Sequence, residues 1–125
     1  MTIADFLAPL PLAAALTGAG FRMLEVTLTP PEPFDSIRAL AARCGKTCLV
    51  GAGTVIDPSD VARVREAGGR LIVMPHADVA VIREAKRQGL GGVPGVATPT
   101  EAFAALAAGA DALTMFPAEA PPPAA

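Results

Sequence analysis

Five short apolar runs, each led by a glycine, recur along this chain and limit its fold more than any other feature. The glycines are Gly20, Gly45, Gly68, Gly89 and Gly109, at intervals of 25, 23, 21 and 20 residues. The runs behind them read "FRMLEVTL", "TCLVGAGTV", "RLIVMP", "LGGVPGVA" and "ADALTMF". All but the last lead through a turn into an amphipathic segment: "FDSIRALAARC", "PSDVARVREAG", "DVAVIREAKRQ" and "PTEAFAALAAG". A strand, turn and helix repeated at this spacing is one supersecondary unit used several times. Strands alternating with helices over short connections must pair in parallel through right-handed crossovers. The expectation is an α/β fold of about five parallel strands, either an open sheet or part of a (β/α)₈ barrel. A complete barrel takes roughly 200 residues or more, and this chain has 125, so the whole of 1–125 reads as a single incomplete barrel domain.

Local chemistry supports the helix boundaries. Asp57 precedes Pro58, and Thr98 precedes Pro99 with Glu101 three positions after the threonine. These are N-caps followed by a proline at the first helical position, the second within a capping box. Glycine after each helix permits the left-handed turn that closes it.

Composition narrows the partners. Hydrophobic residues make up 52% and aromatic ones 4%, with no Trp or Tyr, so the core must be packed from Ala, Val and Leu, as in a globular protein. The net charge of −2, with both signs interspersed, offers no basic face for nucleic acid or anionic lipid. No apolar stretch is long enough to span a membrane, and "MTIADFLAPLPLAAAL" carries Asp5 and two prolines where a signal peptide would be basic. A cytoplasmic location is expected. Cys44 and Cys48, flanking "GKT", are too close for a useful clamp and too few for a metal cage; a reduced pair of semi-buried thiols is expected, with neither metal nor cofactor.

Two glycine patterns fail as nucleotide sites. "CGKT" has Leu40 where a phosphate loop needs its first glycine, and it lies between a helix and a strand, the reverse of the required order. "GLGGVPG" has Pro94 where a dinucleotide fingerprint needs glycine.

Glu25 is more informative. In "RMLEVTL" the alternation places Leu24, Val26 and Leu28 on the face that helices would cover, and Met23, Glu25 and Thr27 on the other. In a barrel that second face is the lumen. A carboxylate there has a raised proton affinity and can act as general acid or base; alternatively the face is solvated, or Glu25 pairs with an arginine. His76 follows "RLIVMP" and Thr54 ends "GAGT", both at the C-terminal rim where parallel sheets build sites. Either could touch a ligand, His76 as a ring nitrogen and Thr54 through its hydroxyl, or be an ordinary loop or capping residue.

Together, "FRMLEVTLTPPEP", "LVGAGTV", "GGRLIVMPHADVAVIREA", "GVPGVATPTEAFAALAAGADAL" and "MFPAE" resemble the 2-keto-3-deoxy-6-phosphogluconate and 2-keto-3-deoxy-6-phosphogalactonate aldolases, over about residues 19 to 119. That family is a class I aldolase group built on the (β/α)₈ barrel and usually trimeric. The resemblance therefore implies a homo-oligomer and a small-molecule substrate, a phosphorylated keto-deoxy sugar acid cleaved to pyruvate and glyceraldehyde 3-phosphate. "PGVATPTEAF", with Thr29 in place of the arginine common in the gluconate branch, leans towards the galactonate branch. By resemblance Glu25 is the proton-shuttling carboxylate, while Thr54, Pro75 and Phe116 line the pyruvate pocket.

One position departs from the family decisively. Its strand usually reads like "ALKLFPAE", the lysine forming a Schiff base with the substrate; here it reads "ALTMFPAE", with Thr114 at the site of the amine. A hydroxyl cannot become a protonated imine, the electron sink of the reaction. The only lysines are Lys46, before a strand, and Lys86, on an outer helix. Residues 1–18 resemble a shortened lead-in from which the first strand is deleted, and beyond Glu119 nothing resembles the last two strands, whose loops hold phosphate in such barrels. Residues 120–125 read as a disordered Pro/Ala tail. The expectation is an aldolase-family domain that is truncated and inactive in isolation; the alternative is a non-catalytic remnant that binds a small keto acid or joins intact family subunits. The open edges predict self-association.

Overall fold

The computed structural model describes residues 9–29 and 32–118. Ten elements follow in order: α1 (Pro9–Gly18), β1 (Met23–Thr27), α2 (Pro33–Cys44), β2 (Leu49–Gly53), α3 (Pro58–Glu66), β3 (Leu71–Met74), α4 (Val79–Arg87), β4 (Gly91–Val96), α5 (Pro99–Ala108) and β5 (Thr114–Met115). The expected Pro/Ala tail and the first eight residues of the lead-in lie outside the described residues, while 9–18 of the lead-in form α1.

Three helices are started by side chains that answer their unpaired N-terminal amides. Asp57 accepts the Ser59 N–H at 2.9 Å ahead of α3. Asp78 accepts the Ala80 and Val81 N–H groups at 2.8 and 3.4 Å ahead of α4. Ahead of α5, the Thr98 hydroxyl oxygen accepts the Glu101 N–H at 3.2 Å, and Glu101 accepts the Ala97 N–H at 3.1 Å and the Thr98 hydroxyl at 2.9 Å. The helix ends follow the glycine rule with one exception. Gly20, Gly68, Gly89 and Gly109 have positive φ, but Gly45 has φ −62°. There the chain winds on, and the Cys48 N–H donates back to the Cys44 carbonyl at 2.8 Å.

The five strands lie side by side in sequence order, every pair parallel, so the described chain is a half-barrel. Register carries the alternation across the sheet. Leu24 is opposite Val50, Val26 opposite Ala52, Ala52 opposite Ile72, and Met74 opposite Pro94. This face meets the helices: Val50, Ala52, Ile72 and Met74 are buried against Ile37 and Leu40 of α2, Val61 and Val64 of α3, and Val81, Ile82 and Ala85 of α4. Fully burying an aliphatic side chain of this size contributes about 1.5–3 kcal/mol, which is why the helices stay docked on one side. Cys44 and Cys48 are free thiols in this core, buried rather than semi-buried. The opposite, inner face carries Met23, Glu25 and Thr27, all exposed.

Candidate active site

Two groups of residues meet the inner face near the C-terminal ends of the strands. The first is at the β1–β2 edge. Glu25 pairs in register with Gly51, and Thr27 with Gly53. The Glu25 carboxylate does not stand over its own partner: it leans along β2 and lies against Gly53, as strand side chains do when they tilt along the chain direction. Although the residue as a whole is exposed, burial by these neighbours raises the carboxyl pKa above its ordinary 4.5. Desolvation is the cause, and among the described residues no arginine pairs with it. Directly after Gly53, Thr54 is exposed at φ 56°. A β-branched residue rarely adopts that left-handed conformation, and the strain turns the chain at the rim. Val55, buried, then donates its N–H to the Val73 carbonyl at 3.1 Å, tying the turn to β3.

The second group gathers around Gly95. Thr114 pairs with Gly95 in register, so it shares the inner face, and is half-buried. A side chain on Gly95 would strike the Pro75 carbonyl and lie 3.2 Å from the Phe116 Cβ. Pro75, Thr114 and Phe116 are therefore neighbours around one close backbone crossing. Phe116 remains 54% exposed, and its N–H donates to the Val96 carbonyl at 3.3 Å. The fold thus brings Glu25 and Thr114 onto the inner face, gathers Pro75 and Phe116 beside Thr114 around Gly95, and sets Thr54 at the rim, in two groups at opposite edges of the sheet.

His76 also lies at the rim but turns to its own loop, its Nε2 3.8 Å from the Asp78 carboxylate. Both lysines sit at the other end of the strands. Lys46 is exposed in the turn before β2. The Lys86 ammonium is 2.9 Å from Asp111, whose other oxygen accepts the Gly92 N–H at 2.8 Å at the foot of β4. The Lys86 bond, followed by that amide, holds the Asp111 carboxyl below the usual range. Among the described residues the inner face carries no primary amine. Among the described residues no cluster of three His, Cys, Asp or Glu could hold a metal, and no described helix is long and apolar enough to cross a membrane. An open depression of about 300 Å³, lined by Leu28, Glu32, Pro33, Phe34 and Arg63, lies away from the inner face. Arg63 there is engaged with Asp60 at 3.1 Å and with the Phe34 ring at 4.1 Å.

Sequence reasoning missed Gly53. "GAGTV" flags a glycine, but nothing within that segment reveals that a carboxylate from the neighbouring strand lies over it; the register of β1 on β2 was the information lacking.

Comparison with known proteins places this geometry. The family described as "KDPG and KHG aldolase" matches residues 1–122. A probable 2-dehydro-3-deoxy-6-phosphogalactonate aldolase of Rhizobium meliloti (strain 1021) is 47% identical over 107 residues, which are 86% of this chain and 50% of that protein. Among solved structures, one described as the native KDPGal structure superposes with a TM-score of 0.84 at 42% identity, covering 94% of this chain and 55% of the other. A KDPG aldolase from Legionella pneumophila, solved with pyruvate captured as a covalent carbinolamine intermediate, superposes with a TM-score of 0.81 at 34% identity, covering 90% of this chain and 54% of the other. The chain spans about half the length of the relatives it matches.

Proposed function

Because the chain belongs to the KDPG and KHG aldolase family, we propose that it is a lyase-family half-barrel that retains the proton-transfer carboxylate, Glu25, and lacks the Schiff-base amine. The reaction it descends from is retro-aldol cleavage of 2-keto-3-deoxy-6-phosphogalactonate or its gluconate counterpart to pyruvate and glyceraldehyde 3-phosphate. That chemistry needs a neutral amine to add to the C2 carbonyl and lose water, leaving a protonated imine to take the electron pair as the C3–C4 bond breaks. A carboxylate takes the C4 hydroxyl proton and later returns one to the enamine carbon. Glu25, with its raised proton affinity, suits the second task. Thr54, Pro75 and Phe116 suit contact with the pyruvate end. Among the described residues nothing on the inner face suits the first task.

The observation that carries this reading is the place of Thr114: on the inner face opposite Gly95, in "ALTMFPAE", with both lysines at the far end of the strands. Losing the nucleophile from groups that act as a unit costs on the order of 10⁴ or more in rate, so the 125-residue chain alone is expected not to cleave the sugar acid at an enzymatic pace. Incubation with pyruvate and borohydride followed by intact-mass spectrometry is expected to leave the chain unmodified, whereas Thr114→Lys should trap a little pyruvate. A borohydride-stable adduct on Lys46 or Lys86 of the parent chain would overturn the reading.

A second reading has one observation in its favour. Met23, Met115 and Phe116 are each more than half exposed at or beside the sheet edges, which suits a subunit that joins another copy or an intact relative.

A further inference from the structure

We propose that Gly53 is the positioning residue for Glu25: its missing side chain is the space in which the Glu25 carboxylate lies, carrying that group from mid-strand to the rim. The geometry is specific to this glycine. A Cβ built on Gly53 would overlap the Glu25 carboxylate, and the three nearest atoms all belong to that group, Oε1 standing 2.7 Å away. The two other crowded glycines on this face behave differently: a Cβ on Gly51 would strike the Leu71 carbonyl and one on Gly95 the Pro75 carbonyl. Those two are glycine because a neighbouring backbone comes close, whereas Gly53 is glycine because a side chain does. Nor does Gly53 need glycine for its own conformation, since it is absent from the positive-φ positions.

The displacement along the strand matters. Glu25 pairs with Gly51, yet its carboxylate rests on the residue two further along β2, next to Thr54 at the rim. A carboxylate upright on β1 would sit deep in the half-barrel; leaning over Gly53 it reaches the end where sites of parallel sheets form. Lying on a backbone surface also removes water from one side of the group, and no other described charge shares the inner face to take part. Met23 and Thr27 flank Glu25 on β1, and β2 presents Leu49 and two glycines. The nearest charged residue along the chain, Arg22, precedes β1 and donates to the Thr17 and Phe21 carbonyls, while the titratable Glu32, Asp57 and His76 belong to rim loops. The proposal rests on the reading of Glu25 as the proton-transfer group for its meaning in catalysis, but its test does not depend on turnover.

The test is a carboxyl-carbon NMR titration of the chain labelled in glutamate, with Glu25→Gln identifying the resonance, alongside thermal denaturation of Gly53→Ala, Glu25→Ala and the double variant. Alanine at 53 meets only the far end of a flexible side chain, so Gly53→Ala is expected to fold and the Glu25 midpoint to fall towards those of the solvent-exposed glutamates. In the Glu25→Ala background, the same substitution should leave the melting temperature unchanged. Should Gly53→Ala alone unfold, the double variant decides: recovery of the fold supports the proposal, and continued unfolding overturns it, because the glycine then serves the backbone. An unmoved Glu25 midpoint in folded Gly53→Ala also overturns it. A borohydride-trapped pyruvate adduct on the parent chain, by contrast, would defeat the functional reading and leave this one standing.

Discussion

Among the described residues, Glu25 is the acid whose ionisation the fold opposes. Its pKa is raised by desolvation, so the folded chain prefers the neutral acid, and the linkage has a definite sign. The contribution is fully present below the unfolded-state value near 4.5 and is lost as pH rises through the higher folded value. Glutamine mimics the protonated form without titrating. Glu25→Gln is therefore expected to be more stable than the parent near neutral pH and no more stable at about pH 3.5, as read from urea denaturation at both values. Because the inner face is open to water, the gain at neutral pH is screened to below about 1 kcal/mol; a pH-independent difference would refute the assignment. The place of Glu25 was legible from sequence because strand parity is a property of one strand, and the parity of "RMLEVTL" is unambiguous. The burial that raises its pKa was legible only as a consequence of enclosure in a barrel. In the structure the carboxylate leans over Gly53, a contact between strands whose register no single segment encodes.

At the level of elements, what local chemistry announces is what could be read. The caps of α3 and α5 were visible because a proline follows Asp57 and Thr98, fixing the first helical residue. The cap of α4 has no such marker, and Asp78 emerges only from its bonds to Ala80 and Val81. Gly45 illustrates the opposite error, since a glycine after a helix permits a left-handed residue without requiring one. The cap at Asp78 has a measurable weight. Asp78→Ala removes the acceptor of two helix-start amides and is expected to cost about 1 kcal/mol of stability in urea denaturation. Asp78 also lies 3.8 Å from His76, so His76→Ala is the control. If the histidine variant loses as much as the aspartate variant, the loop contact and not the cap holds α4. Packing makes the helix start matter: Val81 and Ile82, buried against the sheet, lie within the first turn that Asp78 secures.

For the molecule as a whole, the balance of its two faces decides its behaviour in solution. The outer face of the sheet is covered by helices and the core there is closed, so the half-barrel has the means to fold. The inner face is not covered by any described element, and among the described residues β1 and β5 each pair with one neighbour only. Parallel sheets are ordinarily covered on both faces, and an unpaired edge offers a row of backbone donors and acceptors to any strand of suitable length. β1, five residues long, is such an edge, and β5, at two residues, is too short to pair far. Apolar side chains border both: Phe21 and Met23 beside β1, and Met115 and Phe116 at β5, all more than half exposed. Association through these surfaces is the expected state, with an average mass by light scattering that rises with concentration. The longer edge should dominate. Glu25 already points one carboxylate inward from this edge strand, and a second charge at its start should block pairing further, so Met23→Lys should lower the average mass at a given concentration, while Phe103→Ser on the outer surface of α5, where the phenylalanine is 75% exposed, should lower it less. A parent chain that stays monomeric as its concentration is raised would mean that the inner face and the β1 edge are satisfied within one copy, and the half-barrel as described would not be the whole of its solution structure.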